Sequence, residues 1–421
     1  MSIARRLSTD WVLPIDGPPI PGGAVLIDST GRIAAVGRDA DVSAPPEVPA
    51  EHLPGAALLP GFVNAHTHLE LTGLADPAPE RDFAEWIRRL RQRKAERSAD
   101  DFLLAARQGL RDCWAAGVTT IADTGDSGAA LHALADAGGS GIAYLELFGP
   151  HPDQAGRSMA AFADRIAQLR PRTSERAGLG VSPHAPYSVS GSLYAAAAQF
   201  AEDAGLPLAV HVAESAAESA LLSDGTGAFA DLWRGRGVPV EPPECSPVEW
   251  LDRHGVLGPH TLCIHVVRAS AADIARLAGR GAAVAHCPLS NARHRHGAAP
   301  LRRLLDAGVP VGLGTDSVAS VGCLDLLAEA RAARGLAALD ARGALELATI
   351  GAARAIGLAD AVGSLVVGKW GDVVAVEIGA AVTEPAEAVL ASGAADVRGT
   401  WLGGKSVFRG PVATVERGPG R

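Results

Sequence analysis

Paired cysteines, lysine and long apolar runs are what this chain lacks, and each absence closes off a class of protein. The five cysteines, Cys113, Cys245, Cys263, Cys287 and Cys323, are odd in number and widely spaced, with no C-x-x-C pair. That argues against a disulfide framework or a zinc ribbon and leaves them as buried thiols. No stretch approaches the ~20 apolar residues that span a bilayer. The first residues, with Trp11, Pro14 and Asp16, lack the apolar core of a signal peptide, so a cytoplasmic location is expected. Net charge is −9 and no basic block stands out, which argues against nucleic acid or an anionic membrane as partner. A small, not strongly acidic substrate fits better. Lysine occurs only at Lys94, Lys369 and Lys405 while arginine is abundant, mainly a mark of genomic base composition.

What the chain does have is core. Over 421 residues, 48% are apolar, enough for one large domain and a smaller one. The stretch that organises it is Pro60-Gly-Phe-Val-Asn-Ala-His66-Thr-His68-Leu-Glu70. Apolar residues from Ala56 to Val63 read as a strand buried on both sides, ending in two histidines. Residues two apart on a strand point the same way, so both imidazoles face one space where a divalent ion can take two nitrogens.

Before this stretch, short strand-like pieces (Trp11 to Leu13, Ala24 to Ile27, Ile33 to Val36) separated by Gly and Pro turns predict a small β unit. After it, Arg81 to Arg97 carries Phe83, Trp86, Ile87 and Leu90 at helical spacing, an amphipathic helix. Its simplest role is a solvated cover over a barrel; the sharper one has Trp86 or Arg88 leaning over a substrate. Strand-length runs then alternate with helical stretches: Thr119 to Asp123, Ile142 to Glu146, Leu179 to His184, Leu208 to Glu214, Leu262 to His265, Ala282 to His286 and Val311 to Asp316. With the first strand these make eight βα units, predicting an α/β fold built on a (β/α)8 TIM barrel. Polar residues stand at the carboxyl end of each strand: His66 and His68, Asp123, Glu146, His184, His211 and Glu214, His265, His286, and Asp316. That face carries the chemistry in such barrels.

Past Leu358 the pattern reverts to strands and turns, expected to pair with the N-terminal unit in a composite β-sandwich because neither half has enough strands alone. The expected division is 1–59 and 359–421 for the two parts of the small β domain and 60–358 for the barrel, with Arg417 to Arg421 frayed. Gly399-Thr-Trp-Leu-Gly-Gly404-Lys405-Ser406 matches the phosphate-loop pattern. It needs a helix to follow it, and Val407-Phe408-Arg409-Gly410-Pro411 is a strand and turn, so a hairpin is expected.

His211 from the fifth strand and Asp316 from the eighth complete a metal site with His66 and His68, leaving room for water at an open position. The cation favours the hydroxide form of that water and so makes a nucleophile near neutral pH. Barrel hydrolases with two metals commonly bridge them with a carbamylated lysine from a middle strand. The only lysine between His68 and His211 is Lys94, in the charged helix, so one divalent metal per subunit is expected, zinc foremost, with iron or manganese also suited to such ligands. Glu214 is expected to act as general acid toward a ring nitrogen, or else as an acid at a helix N-terminus. His265 orients and polarises the water, or is a core histidine. Asp316 takes the water's proton to the departing amine. His184 either contacts substrate or braces its loop, with substrate contact favoured. His286 and Asn291 are expected as support, and His294 and His296, beside Arg293 and Arg295, as an exposed loop.

His66-Thr-His68, Ser-Pro-His184-Ala-Pro-Tyr, His211-Val-Ala-Glu214-Ser, Ile-His265, His-Cys-Pro-Leu-Ser-Asn291 and Gly-Thr-Asp316-Ser317-Val-Ala-Ser320 resemble, in order, the motif set of the amidohydrolase superfamily in its cytosine/adenosine deaminase-like branch. The resemblance covers nearly the whole chain. It implies a mononuclear metal-dependent aminohydrolase ligated by His66, His68, His211 and Asp316, with Glu214 and His265 catalytic, and a homodimer is expected from the family. Within that branch the chain is similar to S-adenosylhomocysteine or methylthioadenosine deaminases and to the aminodeoxyfutalosine deaminases of menaquinone biosynthesis. Leu-Glu70-Leu and the Ser320 ending look more like the latter; Val321 stands where these enzymes often carry Asn. Substrate contacts are expected from His184, Glu70, Trp86, Glu146 and Ser320. The expected reaction is hydrolytic deamination of an aminopurine nucleoside-like compound. The alternative is hydrolysis of another C–N or C–Cl bond on an electron-poor ring such as a triazine, guanine or a cyclic amide. A cytidine-deaminase type of zinc site is excluded, since the chain has no P-C-x-x-C.

Overall fold

The computed structural model describes residues 4–74 and 82–411, so the expected fraying of 417–421 and the helix start at Arg81 lie outside it. The first strands are β1 (Arg5–Val12), β2 (Ile20–Ile27), β3 (Ile33–Arg38) and β4 (Ala50–Pro60). Then come β5 (Phe62–Thr67), β6 (Val118–Gly125), β7 (Ser140–Leu147), β8 (Ala177–Pro183), β9 (Leu208–Val212), β10 (Thr261–His265), β11 (Ala283–His286) and β12 (Val311–Leu313). The tail adds β13 (Val373–Glu377), β14 (Val397–Leu402) and β15 (Lys405–Arg409).

Strands β5 to β12 pair in sequence order, all parallel, with helices between them. A bridge between Thr67 and Asp316 closes the ring. This is the TIM barrel that the alternating pattern predicts. Closure depends on Gly314: a Cβ there would lie 2.7 Å from the Cβ of His66, so a larger residue would push the last strand off the first.

The remaining strands form one sheet in the order β15-β14-β13-β4-β1-β2-β3, antiparallel except for the parallel β1–β4 pair. Strand β13 from the tail pairs with β4 from the N-terminal part, Ala375 opposite Leu58. Neither end of the chain completes this sheet alone.

The apolar run from Ala56 to Val63 departs from its reading as one strand. It is split between two sheets, β4 ending at Pro60 and β5 starting at Phe62. Successive side chains on β4 point to opposite faces. Ala56 and Leu58 join the core of the small sheet, and Ala57 and Leu59 join the barrel core. Two cores on either side of one strand make a continuous hydrophobic run, which hides the break at Pro60-Gly61.

The phosphate-loop lookalike is the β14–β15 hairpin, pairing Leu402 with Lys405. Its loop residues Gly403 and Gly404 have φ of 51° and 78°, the left-handed pair that a tight hairpin of this twist requires. Of the cysteines, Cys323 is exposed, contrary to expectation, and the other four are buried.

Helix α1 (Phe83–Ala95) starts where the Asp82 side chain accepts from the Ala84 and Glu85 amides, capping two otherwise unpaired donors. Its apolar side, Phe83, Trp86, Ile87 and Leu90, packs with Leu71, Leu74 and Ala319 above the barrel mouth. Helix α2 (Ala99–Ala115) then leads down to β6. Among the described residues no helix is long and apolar enough to cross a membrane.

Candidate active site

The carboxyl ends of the barrel strands converge as the period of two requires. His66 and His68 leave β5 on one side, and Asn64 between strands stitches β5 to the end of β12: its Nδ2 donates to Thr315 Oγ1 at 2.8 Å and its Oδ1 accepts from the Thr315 amide at 3.1 Å. The Asp316 amide donates to the His66 carbonyl at 3.0 Å. These bonds set the Asp316 carboxylate against the two imidazoles, with Oδ1 3.6 Å from His66 Nε2 and 3.5 Å from His68 Nε2. His211 Nε2 comes to 3.4 Å from His68 Nε2.

Those separations fit one divalent ion. Two donors each about 2.1 Å from a metal at a tetrahedral angle lie about 3.4 Å apart. The histidines are also prepared as ligands. Both ring nitrogens of fully buried His66 lack a hydrogen-bond partner among the described residues, an expensive omission unless something else binds there. His211 Nδ1 faces the His184 carbonyl at 3.2 Å, which leaves Nε2 with its lone pair directed inward. Burial lowers the pKa of His66, His68 and His211, His68 to about 3, so all three imidazoles are neutral donors at pH 7. Burial alone would raise the Asp316 carboxyl, but His66 and His68 beside it hold it well below the usual range. Ser290 Oγ and the Ser317 amide donate to its two oxygens. Glu146, His184 and His211 also bring ligand atoms within 4.8 Å of one another, but Glu146 and His184 stand 4.0 Å apart, wider than the first set.

Glu214 lies beyond β9, its Oε1 3.6 Å from His265 Nε2. His265 Nδ1 meets Asn291 Oδ1 at 2.9 Å, which fixes the ring with Nε2 toward the carboxylate. Burial would raise the Glu214 carboxyl, but the His265 and His296 imidazoles prevail and hold it at about 2. Glu218, one helical turn on, accepts from the Ala213 and Glu214 amides at 2.7 and 2.8 Å, clamping the strand end. The backbone is bent throughout this rim: Ala213, His265, Val266 and Asp316 all have positive φ. Side-chain-bearing residues hold that conformation only where their surroundings over-determine it, as at functional sites.

A cavity of about 620 Å³ opens beside His68, between α1 and the walls carrying Phe102, Glu146, Phe148 and His184. Glu146 and His184 therefore face it. The Glu146 carboxyl is pushed well above its normal pKa by burial, and one of its oxygens has no hydrogen-bond partner among the described residues. Glu70 is buried with its carboxylate on Lys94 Nζ at 2.7 Å and on Ser127. Lys94 is shared with Asp126 at 2.7 Å, on a helix rather than a barrel strand. Trp86 packs against Phe83 and His294. Ser320 is buried with its hydroxyl 3.1 Å from that of Ser317. His286 is fully buried and makes no hydrogen bond among the described residues.

Two histidines depart from expectation. His294 and His296 are not in an exposed loop: His294 is buried, and the His296 side chain, 5% exposed, places Nε2 3.4 Å from Glu214 Oε1. They follow the short helix Pro288–Arg293 after β11, and the visible signal was only their position past a barrel strand's carboxyl end.

A barrel whose carboxyl-end face gathers three imidazoles and a carboxylate is suited to holding a divalent ion. The amidohydrolase family model matches residues 57–407, and the chain belongs to that family. It is 35% identical to the aminodeoxyfutalosine deaminase of Deinococcus radiodurans over 332 residues, 76% of this chain and 77% of that one. It is 31% identical to a 5-methylthioadenosine/S-adenosylhomocysteine deaminase of Nitratidesulfovibrio vulgaris, across 92% and 88% of the two chains. A solved adenosine deaminase of Xanthomonas campestris with bound zinc superposes with a TM-score of 0.81 at 27% identity, covering 96% of this chain and 92% of that one.

Proposed function

We propose that this chain is a cytoplasmic, metal-dependent hydrolytic deaminase of an adenine nucleoside-like compound of the aminodeoxyfutalosine or S-adenosylhomocysteine/methylthioadenosine type. The observation that carries this reading is the donor set itself. His66, His68, His211 and Asp316 are spaced for one divalent ion, and Glu214 and His265 stand together beside it. These four residues would hold the ion, zinc foremost, with iron or manganese as alternatives. When bound, it supplies Lewis acidity that makes water a nucleophile near neutral pH.

The side chains account for the protons. His265, fixed by Asn291, offers Nε2 toward the attacking water. Glu214 takes one proton from water and delivers it to the ring nitrogen next to the attacked carbon. Asp316 accepts the other and hands it to the amine, which leaves as ammonia. Water thus supplies the oxygen and both protons, and the ring gains a carbonyl and an N–H. His184 and Glu146 bind the substrate from the cavity wall. Glu70 holds Lys94 at that wall, while Trp86 and Ser320 are buried outside the lining of the cavity.

The test is ammonia release, with metal content measured on the same preparation, across adenosine, S-adenosylhomocysteine, methylthioadenosine, aminodeoxyfutalosine, guanine, cytosine and aminotriazines. Turnover of one adenine compound by protein holding one metal per chain is expected. A metal-loaded protein silent on all of them would overturn the deaminase reading.

A further inference from the structure

The Glu214 carboxylate has a second imidazole neighbour to which the proton scheme gives no task. His296 Nε2 approaches Glu214 Oε1 at 3.4 Å, on the same oxygen that His265 Nε2 approaches at 3.6 Å. That nitrogen makes no completed hydrogen bond among the described residues, and the Glu214 carboxylate is the acceptor that stands beside it. The placement is built. Between His294 and His296, Arg295 has φ of 59°, a left-handed turn that side-chain-bearing residues rarely adopt. Phe83 packs edge-on against the His296 ring at 4.5 Å between centroids, and His294 stacks on it at 5.5 Å. Both contacts keep the imidazole from swinging out.

We propose that His296 is a positioning residue for Glu214. His296 Nε2 beside Oε1 holds that oxygen while His265 Nε2 serves the water, and Oε2 becomes the atom that faces the ring nitrogen. The contacts are longer than finished hydrogen bonds, as catalytic contacts often are before substrate tightens them. A carboxylate gripped on one oxygen keeps its other one in line for transfer. Without His296 it pivots. The role rests on the assignment of Glu214 as proton carrier in the deaminase reading.

Three variants and one structure test it. In His296→Leu, metal content and KM stay near wild type while kcat falls about 10–100-fold, the cost expected of a transfer group displaced by part of an ångström. His296→Gln, whose amide nitrogen reaches the same place, recovers most of that loss, and His296→Asn, which is too short, does not. A merely structural histidine would not discriminate between the two amides. A crystal structure of His296→Leu shows the Glu214 carboxylate rotated away from its wild-type position. The proposal is overturned if kcat of His296→Leu stays within about twofold of wild type, if Gln is no better than Leu with metal retained, or if the carboxylate does not move. Wild-type silence on the whole substrate panel would instead sink the deaminase reading, while the crystal structure would still decide how Glu214 is held.

Discussion

The molecule contains two buried regions built on opposite rules. The core of the seven-stranded sheet is made of Leu7, Val25, Ile27, Leu58, Val373, Trp401 and their apolar neighbours. The carboxyl-end face of the barrel buries His66, His211, Glu214, His265, Asp316 and Glu218 instead. There the backbone is bent into positive φ at four places, and ring nitrogens go without partners. The first region removes apolar surface from water and gains stability by it. The second places groups that water would have solvated and leaves some of them unpaired, which costs stability. A chain carries such an arrangement when a bound ion or a substrate completes it.

The sharpest way to test that contrast is Glu214→Gln. The amide is isosteric and cannot carry the proton, so kcat should fall by about 10²–10⁴-fold, the range of general acid–base catalysis. Metal content should be unchanged, because Glu214 is not among the proposed ligands. The unfolding midpoint should hold or fall, since the lowered carboxyl pKa means that His265 and His296 stabilise a charge the amide lacks. Steady-state kinetics, metal analysis and urea unfolding on one preparation check all three, and normal turnover would refute the role.

How much of this contrast was readable beforehand follows from where each signal lies. The barrel-mouth residues were legible because strand periodicity fixes the ends of the runs, and chemistry-bearing residues stood at each end. His66, His68, His211 and Asp316 come from three strands far apart in sequence, yet the fold rule alone predicts their convergence. His294 and His296 were not legible. They lie past a six-residue helix, in a turn that owes its shape to a left-handed Arg295, and arginine announces no such turn. The division of the run from Ala56 to Val63 was hidden for a different reason: β4 is apolar on both faces because it separates two cores. Glu218 gave no signal either, since its clamp on the Ala213 and Glu214 amides depends on how the strand end bends.

The opposite region is broken by Trp401→Ala. Trp401 is fully buried in the small-sheet core, and truncating a core tryptophan costs about 3–5 kcal/mol through lost transfer energy and a cavity. Urea unfolding should show that loss. The folded fraction should keep its metal and its kcat within about twofold, because changes at distant, independent sites act separately. A large fall in kcat with stability intact would mean that the small sheet shapes the site directly.

Arg88 sets the lower end of the scale and separates the two roles open to α1. Its Nε donates to Glu85 Oε2 at 2.6 Å in an exposed i,i+3 pair on the helix, while Trp86, two residues away, is buried beneath. That geometry turns Arg88 toward solvent, where water and salt screen its charge. Arg88→Ala should therefore leave kcat and KM within about twofold, a change no greater than exposed ion pairs usually bring. If Arg88 leaned over the substrate, KM would rise about tenfold or more, the cost of a lost charged hydrogen bond. Substrate-saturation curves for the two proteins distinguish these results, and a tenfold rise would make the outer side of α1 part of the site rather than its cover.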